Sequence, residues 1–336
     1  MSTDDALLDR ARAGDEPAFA DLVAPYRREL HVHCYRMLGS FEDADDAVQE
    51  TLLAAWRGLA TFQARSSVRT WLYRIATNTC LNLIRGASRR PPMVDTLPPT
   101  APQPSGSDTV TWLQPYPDSL LDALPDATPG PDAQVEQYEA VSLAFVTALQ
   151  VLSPRARAVL ILRDVLGFTT REVAATLDTS EEAVAMTLSR ARTTLRAAPG
   201  ALARRGGSDP ANEADVVRRL VAAFTSRDVD RVVSLLAEDV RIAMPPLPAV
   251  WQGRQRAAQF MSGVVFHLVP QARFIITRAN RQPALAVYTR DDTNGAWHAN
   301  GLLVITLHGD RVAALTRFES HTLRPFGLPR ILPVQD

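Results

Sequence analysis

Between Phe62 and Arg85 the chain reads FQARSSVRTWLYRIATNTCLNLIR. Arg65, Arg69, Arg74 and Arg85 interleave there with Phe62, Trp71 and Tyr73, and Asn78 and Asn82 stand about one helical turn apart. Arginines at such intervals can track a phosphate backbone, aromatic rings can stack on an unstacked base, and asparagine amides can read a base edge. An apolar core competes for Trp71, Leu72, Ile75 and Leu83, and the spacing gives some of them to it. A second stretch, Thr169 to Arg196, reads TTREVAATLDTSEEAVAMTLSRARTTLR. Thr169 with Glu172, and Thr179 with Glu182, have the spacing of two capping boxes and so predict two short helices joined by a tight turn. Val173, Ala174 and Leu177 form the inner face of the first, and Val184, Leu188, Ala191 and Leu195 that of the second. Opposite them lie Glu182, Ala185, Met186, Ser189, Arg190 and Arg192. That set combines a small-residue approach to base edges with arginines that can fork onto guanine or phosphate. A helical hairpin in any all-α domain shares the pattern.

The elements that must position these residues follow from composition. With 336 residues the chain can fold as two or three domains. Its formal net charge of -1 names no partner, so the sign must be sought locally. All basic residues are arginine, a pattern we ascribe to codon usage. From Asp15 to about Arg90 the period is helical throughout. Residues 91–133 then hold eleven prolines, six aspartates and no basic residue, which predicts an acidic linker. Within it Trp112, Tyr116, Leu120, Leu121 and Leu124 suggest local docking. Helical pattern returns over 134–203, and between Arg155 and Arg205 nine arginines face five acids, the footprint of a phosphate-binding surface. RRGGSDP at 204–210 reads as a hinge. Beyond it, helices at 213–227, 230–237 and 254–261 precede strands at 273–279, 284–288, 297–307 and 312–318, an α+β cone in which a curved antiparallel sheet wraps a helix.

A third stretch, DADDAVQETLLAAW from Asp43 to Trp56, sets Asp43, Asp46, Gln49 and Glu50 on neighbouring turns, with Ala47, Leu52 and Ala55 as the apolar side. Such an acidic and amide stripe is usually a solvated face, and as a partner site it would suit a basic surface. The order of these stretches resembles the extracytoplasmic-function (group 4) sigma factors of bacterial RNA polymerase. It runs from DADDAVQETLLAAW through RTWLYRIATNTCLNLIR and the acidic linker to LSPRARAVLILRDVLGFTTREVAATLDTSEEAVAMTLSRARTTLR, over roughly residues 7 to 200. The resemblance implies two all-α sigma domains, 7–90 and 134–203, the second a helix-turn-helix, either side of a linker that threads the polymerase cleft. By that likeness Asp46, Gln49 and Glu50 dock on the clamp helices of the largest subunit, and the flap region is a further partner. The same likeness implies that promoter DNA is contacted at the melted −10 element by Phe62, Arg65, Arg69, Trp71, Arg74, Asn78, Asn82 and Arg85, the loop around Gln63 to Val68 receiving a flipped base. At the −35 element the contacts implied are Arg171, Glu182, Ala185, Met186, Ser189, Arg190, Arg192 and Arg196.

Residues 211–322 resemble the SnoaL-like, nuclear-transport-factor-like cone, carried by VVRRLVAAFTSRDVDRVVSLLAEDVRIAMPP. The expected role is an intramolecular regulator. Trp251, His267, Trp297 and His298, with Asp291 and His321 behind them, are candidates for a small-ligand pocket. No catalytic residue and no cofactor is expected, because acid–base work needs two groups converging on one apolar cavity. The alternative is a SnoaL-like enzyme or ligand sensor with a DNA-binding appendage. The tail at 323–336, three prolines among Phe326, Leu328, Ile331 and Leu332, is expected to dock on a groove without forming helix or strand. His31, His33 and Cys34 form no metal set, since His33 would point away from the other two on a helix. Cys34 and Cys80 match no zinc or redox spacing, and a cytoplasmic location is expected. No apolar run reaches membrane-spanning length, and the N-terminus lacks the layout of a signal peptide.

Overall fold

The computed structural model describes residues 3–63, 66–87, 100–108, 110, 112–122, 141–197 and 209–332. They fall into two compact units: the residues up to 90 with 141 and 146–198 in one, and 91–122, 142–145 and 199 onward in the other. The expected boundaries run differently, placing a linker between two separate helical domains.

The first unit opens with α1 (Thr3–Arg12), α2 (Glu16–Val23), α3 (Arg27–Leu38), α4 (Phe41–Gly58) and α5 (Val68–Ala87). Asp15 caps α2 by accepting from the Ala18 amide at 3.0 Å, with Pro17 at a first-turn position where no amide is needed. Gly39 ends α3 at φ 76, and Ser40 caps α4 from Asp43 N at 3.1 Å, so the two helices turn sharply. α4 buries Ala44, Ala47, Val48, Thr51, Leu52 and Ala55, a three-and-four spacing that turns one stripe inward. Cys34 and Cys80 meet in this core, where burial and their mutual hydrogen bond push the Cys80 thiol up. Among the described residues no cluster suited to a metal ion occurs.

The second unit contains α6 (Asp118–Leu121), and the helices that complete the first unit are α7 (Leu143–Val151, from Val146 onward), α8 (Pro154–Leu160), α9 (Thr170–Leu177) and α10 (Glu181–Ala197). A π-helical turn at Ile161–Val165 continues α8.

The second unit folds around one sheet of β1 (Gly106–Ser107), β2 (Leu236–Met244), β3 (Leu247–Gln252), β4 (Ala272–Ala279), β5 (Gln282–Arg290), β6 (Trp297–His308) and β7 (Arg311–Glu319), with β8 (Ile331–Leu332) beside β6. The order is β1-β3-β2-β7-β6-β5-β4. The expectation of an antiparallel sheet needs one correction, because β2 and β7 pair in parallel. The mixed sheet stays open. Helices α11 (Pro210–Thr225), α12 (Val229–Leu235) and α13 (Arg254–Phe260) cover one face, and α13 runs on through a π-turn to Leu268. Val216, Leu220, Phe224, Trp251, Phe260 and Ile305 anchor the core between them.

The proline-rich stretch is more than a tether. Residues 100–108, 110 and 112–122 wrap the second unit as a strap: Gly106 and Ser107 extend the sheet beside Val250 and Ala249, and Trp251 Nε1 donates to Pro102 O at 2.8 Å. Val110, Leu113, Tyr116 and Leu121 are buried, whereas Trp112 is half exposed and Leu124 lies outside the described residues. Asn280, in a left-handed conformation at φ 56, clasps the strap twice. Its Oδ1 accepts from Tyr116 N and its own amide donates to Tyr116 O, both at 2.8 Å. Asp118 sits beneath and accepts from Arg281 N at 2.7 Å, although burial outweighs its donors and raises its carboxyl pKa. Asn280→Ala removes a buried bond and leaves a side chain ill suited to positive φ, so a loss of about 2 kcal/mol is expected. Urea unfolding and protease cleavage within 100–122 check this; an unchanged midpoint and unchanged cleavage would contradict it.

The tail also departs from expectation. Ser320–Phe326 is a 3-10 helix and Ile331–Leu332 a short strand on β6. Proline is accommodated because a 3-10 turn and an edge strand leave amides unbonded anyway. Tyr288 Oη donates to Pro329 O at 2.9 Å and Ala299 N to Arg330 O at 2.8 Å, so the tail docks on the cone.

Candidate nucleic-acid interface

Three exposed faces of the first unit carry the chemistry read from the sequence. On α4, Asp46, Gln49 and Glu50 are exposed, opposite the buried alanine stripe. Between them and Arg57 lies Leu53, 49% exposed, which sequence reasoning passed over. Its signal was available: it continues the Asp46, Gln49, Glu50 face at helical spacing, where a solvated stripe would carry a polar residue. A leucine set among acids makes a surface that can bury carbon as well as attract charge.

On α5, Arg74, Asn78, Asn82 and Arg85 are all exposed and follow one another at four, four and three positions, a single longitudinal stripe. Here basic and amide groups face outward together, as strand capture requires. The other residues assigned to this contact lie elsewhere. Phe62 is 8% exposed and belongs to a cluster with Leu8, Leu22 and Leu59, and Trp71 stacks on it at 4.6 Å between centroids. Arg69 turns inward, forming a bidentate pair with Glu29 at 2.9 and 3.0 Å and lying 4.9 Å over the Tyr73 ring. Arg65 lies outside the described residues, while Gln63, Ser66 and Ser67 beside it are exposed. The interleaved arginines and aromatics thus divide: the C-terminal half of α5 is a polar face and the N-terminal half is packing.

The α9–α10 hairpin has the expected first cap, with Thr169 Oγ1 accepting from Glu172 N at 3.2 Å and Glu172 Oε2 accepting from Thr169 N at 2.8 Å. The second differs. Ser180, rather than Thr179, caps α10 by accepting from Ala183 N at 3.2 Å, because Asp178 takes the left-handed position at φ 49 and lengthens the turn. Val184, Leu188 and Ala191 are buried, and Arg171, Glu182, Ala185, Met186, Ser189, Arg190, Arg192 and Arg196 are exposed. Arg192 pairs with Asp164 at 2.7 and 2.8 Å, which raises its pKa. An exposed pair of this kind contributes little to stability and can exchange its carboxylate for a phosphate. Arg163, Thr170 and Thr193 join Arg192 and Arg196 around a polar hollow of about 410 Å³. The sequence reading missed Arg163 and Thr193: Arg163 lies before the hairpin, and the π-turn of Ile161–Val165 brings it round.

One buried group ties the halves of this unit together. Arg157, 4% exposed, donates to Leu149 O at 2.9 Å, Gln150 O at 3.1 Å and Leu152 O at 3.2 Å, and from Nη1 to Met37 O and Gln150 Oε1. It therefore satisfies the C-terminal carbonyls of α7 and of α3 at once. Burial lowers its pKa to about 10, still well above neutrality.

In the second unit a cavity of about 340 Å³ lies between the sheet and α13 with its continuation. None of Trp251, His267, Trp297 and His298 lines it. Trp251 is wholly buried in the core, and His267 is exposed at the end of the helix. Arg273 lies 4.5 Å over the Trp297 ring, His298 Nε2 is 3.7 Å from Asp291, and His321 pairs with Glu319 at 3.4 Å. A register shift in β5 against β6, between Ala299 and Gly301, breaks the alternation from which a side could be read.

Residues 22–90 match the family described as Sigma-70 region 2, residues 142–195 that described as Sigma-70, region 4, and residues 217–321 the SnoaL-like domain. Over 331 residues the chain is 43% identical to the ECF RNA polymerase sigma factor SigG of Mycobacterium tuberculosis, covering 94% of this chain and 87% of that one. With the ECF RNA polymerase sigma factor SigJ of the same organism the identity is 33% over 245 residues, 71% of this chain and 70% of the other. The crystal structure of that organism's SigJ superposes with a TM-score of 0.59 at 24% identity, covering 91% and 98% of the two chains, which shows a shared fold.

Proposed function

The chain belongs to the extracytoplasmic-function sigma factors of bacterial RNA polymerase, and from that premise we propose how its faces divide the work of promoter recognition. The exposed stripe Arg74, Asn78, Asn82 and Arg85 carries the reading: it engages the melted −10 strand, phosphates to the arginines and base edges to the amides. Asp46, Gln49, Glu50 and Leu53 dock on the polymerase clamp helices, the leucine supplying the apolar centre and the acids the orientation. The α9–α10 hairpin reads the −35 duplex through Ala185, Ser189 and Arg190, with Arg171, Arg192 and Arg196 on phosphates. Phe62, Trp71 and Arg69 act from behind, holding α5 in place.

The second unit acts as an intramolecular regulator that takes a small ligand. Its strap is the chain segment between the two sigma regions, so whatever tightens or loosens the strap alters the reach between them. The reading as an enzyme needs an acid and a base facing one apolar space, and the titratable groups lining the cavity are Arg227, Arg317 and Glu319.

Run-off transcription with the full chain and purified core polymerase tests the proposal. Asp46→Arg with Gln49→Ala is expected to weaken core binding about tenfold or more while leaving the affinity of the chain for promoter duplex unchanged. Unchanged core affinity would remove α4 from the interface. A chain ending at residue 205 with the same promoter output and core affinity would remove the regulatory role.

A further inference from the structure

The cavity of the second unit is built for one kind of guest. Its walls are carbon, with Phe224, Met261, Phe266, Phe274 and Leu303 among them, and its volume of about 340 Å³ is many times that of the voids a packed core leaves. Small-molecule sites begin at about 300 Å³. A carbon-lined space of this size suits the apolar body of a small molecule.

At one end the lining turns polar. Arg317 Nη2 donates to Asn300 O at 2.8 Å and to Asn300 Oδ1 at 2.9 Å, which fixes the plane of the guanidinium at the cavity wall. The neighbouring Gly301 keeps that wall close: a Cβ there would lie 2.3 Å from Phe318 O, so no other residue lets β6 and β7 approach as they do. Arg227, whose guanidinium donates to Phe266 O, and Glu319 complete the charged lining. The charged groups of the lining are thus two guanidiniums and one carboxylate, and Glu319 also pairs with His321 at 3.4 Å. Arginine keeps its charge at any physiological pH and offers forked donors to a planar anion.

We propose that this cavity binds an amphipathic organic acid, its apolar body among the phenylalanines and its anionic group on Arg317. This rests on the reading of the second unit as the ligand-taking regulator, and it adds the chemical class and the residue that selects it.

The full chain is titrated with two fluorescent probes of the same ring system, 1-anilinonaphthalene-8-sulfonate and its uncharged counterpart N-phenyl-1-naphthylamine. The sulfonate probe is expected to bind saturably and about tenfold tighter than the neutral one. Arg317→Gln should lower its affinity by about the same factor while the neutral probe binds as before. Val287→Trp, which fills the cavity from β5, should abolish binding of both. Equal affinities for the two probes, or an Arg317→Gln chain that holds the sulfonate as tightly as the original, would overturn the proposal. So would sulfonate binding that survives Val287→Trp. Run-off transcription with saturating sulfonate probe separates the two readings: the expected binding pattern with unaltered transcription sustains the site and withdraws the regulatory role alone.

Discussion

Arg157→Met is expected to destabilise the first unit by about 3 kcal/mol, the largest single-residue effect we anticipate in its core. The guanidinium serves the carbonyls of Leu149, Gln150, Leu152 and Met37, together with the Gln150 side chain. Buried charges can often be exchanged for hydrophobes at no loss when their partners are exchanged too. Here four of the partners are backbone and cannot be replaced, so methionine fills the volume and strands the acceptors. Each buried polar group left unmet costs about 1–3 kcal/mol, offset in part because a lone guanidinium no longer has to be desolvated. Arg157→Lys keeps a charge and three donors but loses the fork, and should fall between the two. Native-state hydrogen exchange of peptides from α3 and α8 reads the effect on this unit by itself. A change below about 1 kcal/mol, or lysine no better than methionine, would show that the tie carries little.

Arg157 also shows what the sequence could and could not deliver. In LSPRARAVLILR it is one of several arginines in a locally basic segment, and nothing in the spacing separates a phosphate ligand from a buried clamp. The sequence did mark the helix start, since Ser153 accepts from Ala156 N with Pro154 following. Local rules were legible in the capping box at Thr169 and the buried stripe of α4, and missed by one residue at Ser180, where the left-handed Asp178 lengthens the turn. They failed where tertiary geometry decides. Arg69 and Arg74 are alike in sequence, yet only the fold places Glu29 and Tyr73 beside one and solvent beside the other. The parallel pairing of β2 with β7 joins strands remote in the chain and leaves no local mark. The strap was read as a linker because proline and aspartate cannot build a core of their own. The apolar residues set among them can still line the edge of another core, and Leu113 and Tyr116 do so with Asp118 beside them. On β6 the bulge before Gly301 shifts the strand's alternation by one, which hid Asn300 and Leu303 as cavity-lining residues.

Acid is expected to destabilise the first unit by about 4 kcal/mol between pH 7 and pH 5, a range in which most carboxylates stay ionised. Two histidines supply the effect. His33 is wholly buried, its Nε2 shared with Thr77 Oγ1 at 3.0 Å, and burial together with the charges of Arg36 and Arg69 lowers its pKa to about 3. His31, packed against the Phe41 ring at 4.7 Å, is lowered to about 4 by burial, against a smaller opposing pull from Asp45. Both folded values lie below the ordinary 6.5, so the unfolded chain takes up protons that the folded one refuses. The stabilisation is full above pH 6.5 and is lost as pH falls toward 4 and then 3. From pH 7 to pH 5 the loss is about 2 kcal/mol for each histidine, about 4 together, a large share of a domain's stability. Hydrogen exchange of α3 and α5 at the two pH values measures it, with rates corrected for intrinsic pH dependence. His33→Gln keeps a partner for Thr77 and removes one titration, so it should lower the loss to about 2 kcal/mol. If opening free energies are the same at pH 7 and pH 5, or if His33→Gln leaves the pH dependence as steep as before, the histidines are not the groups that make this unit acid-sensitive. The steepness between the two values, more than the stability at either, is the quantity that decides, because any core substitution can lower stability but only the loss of a titrating group flattens its dependence on pH.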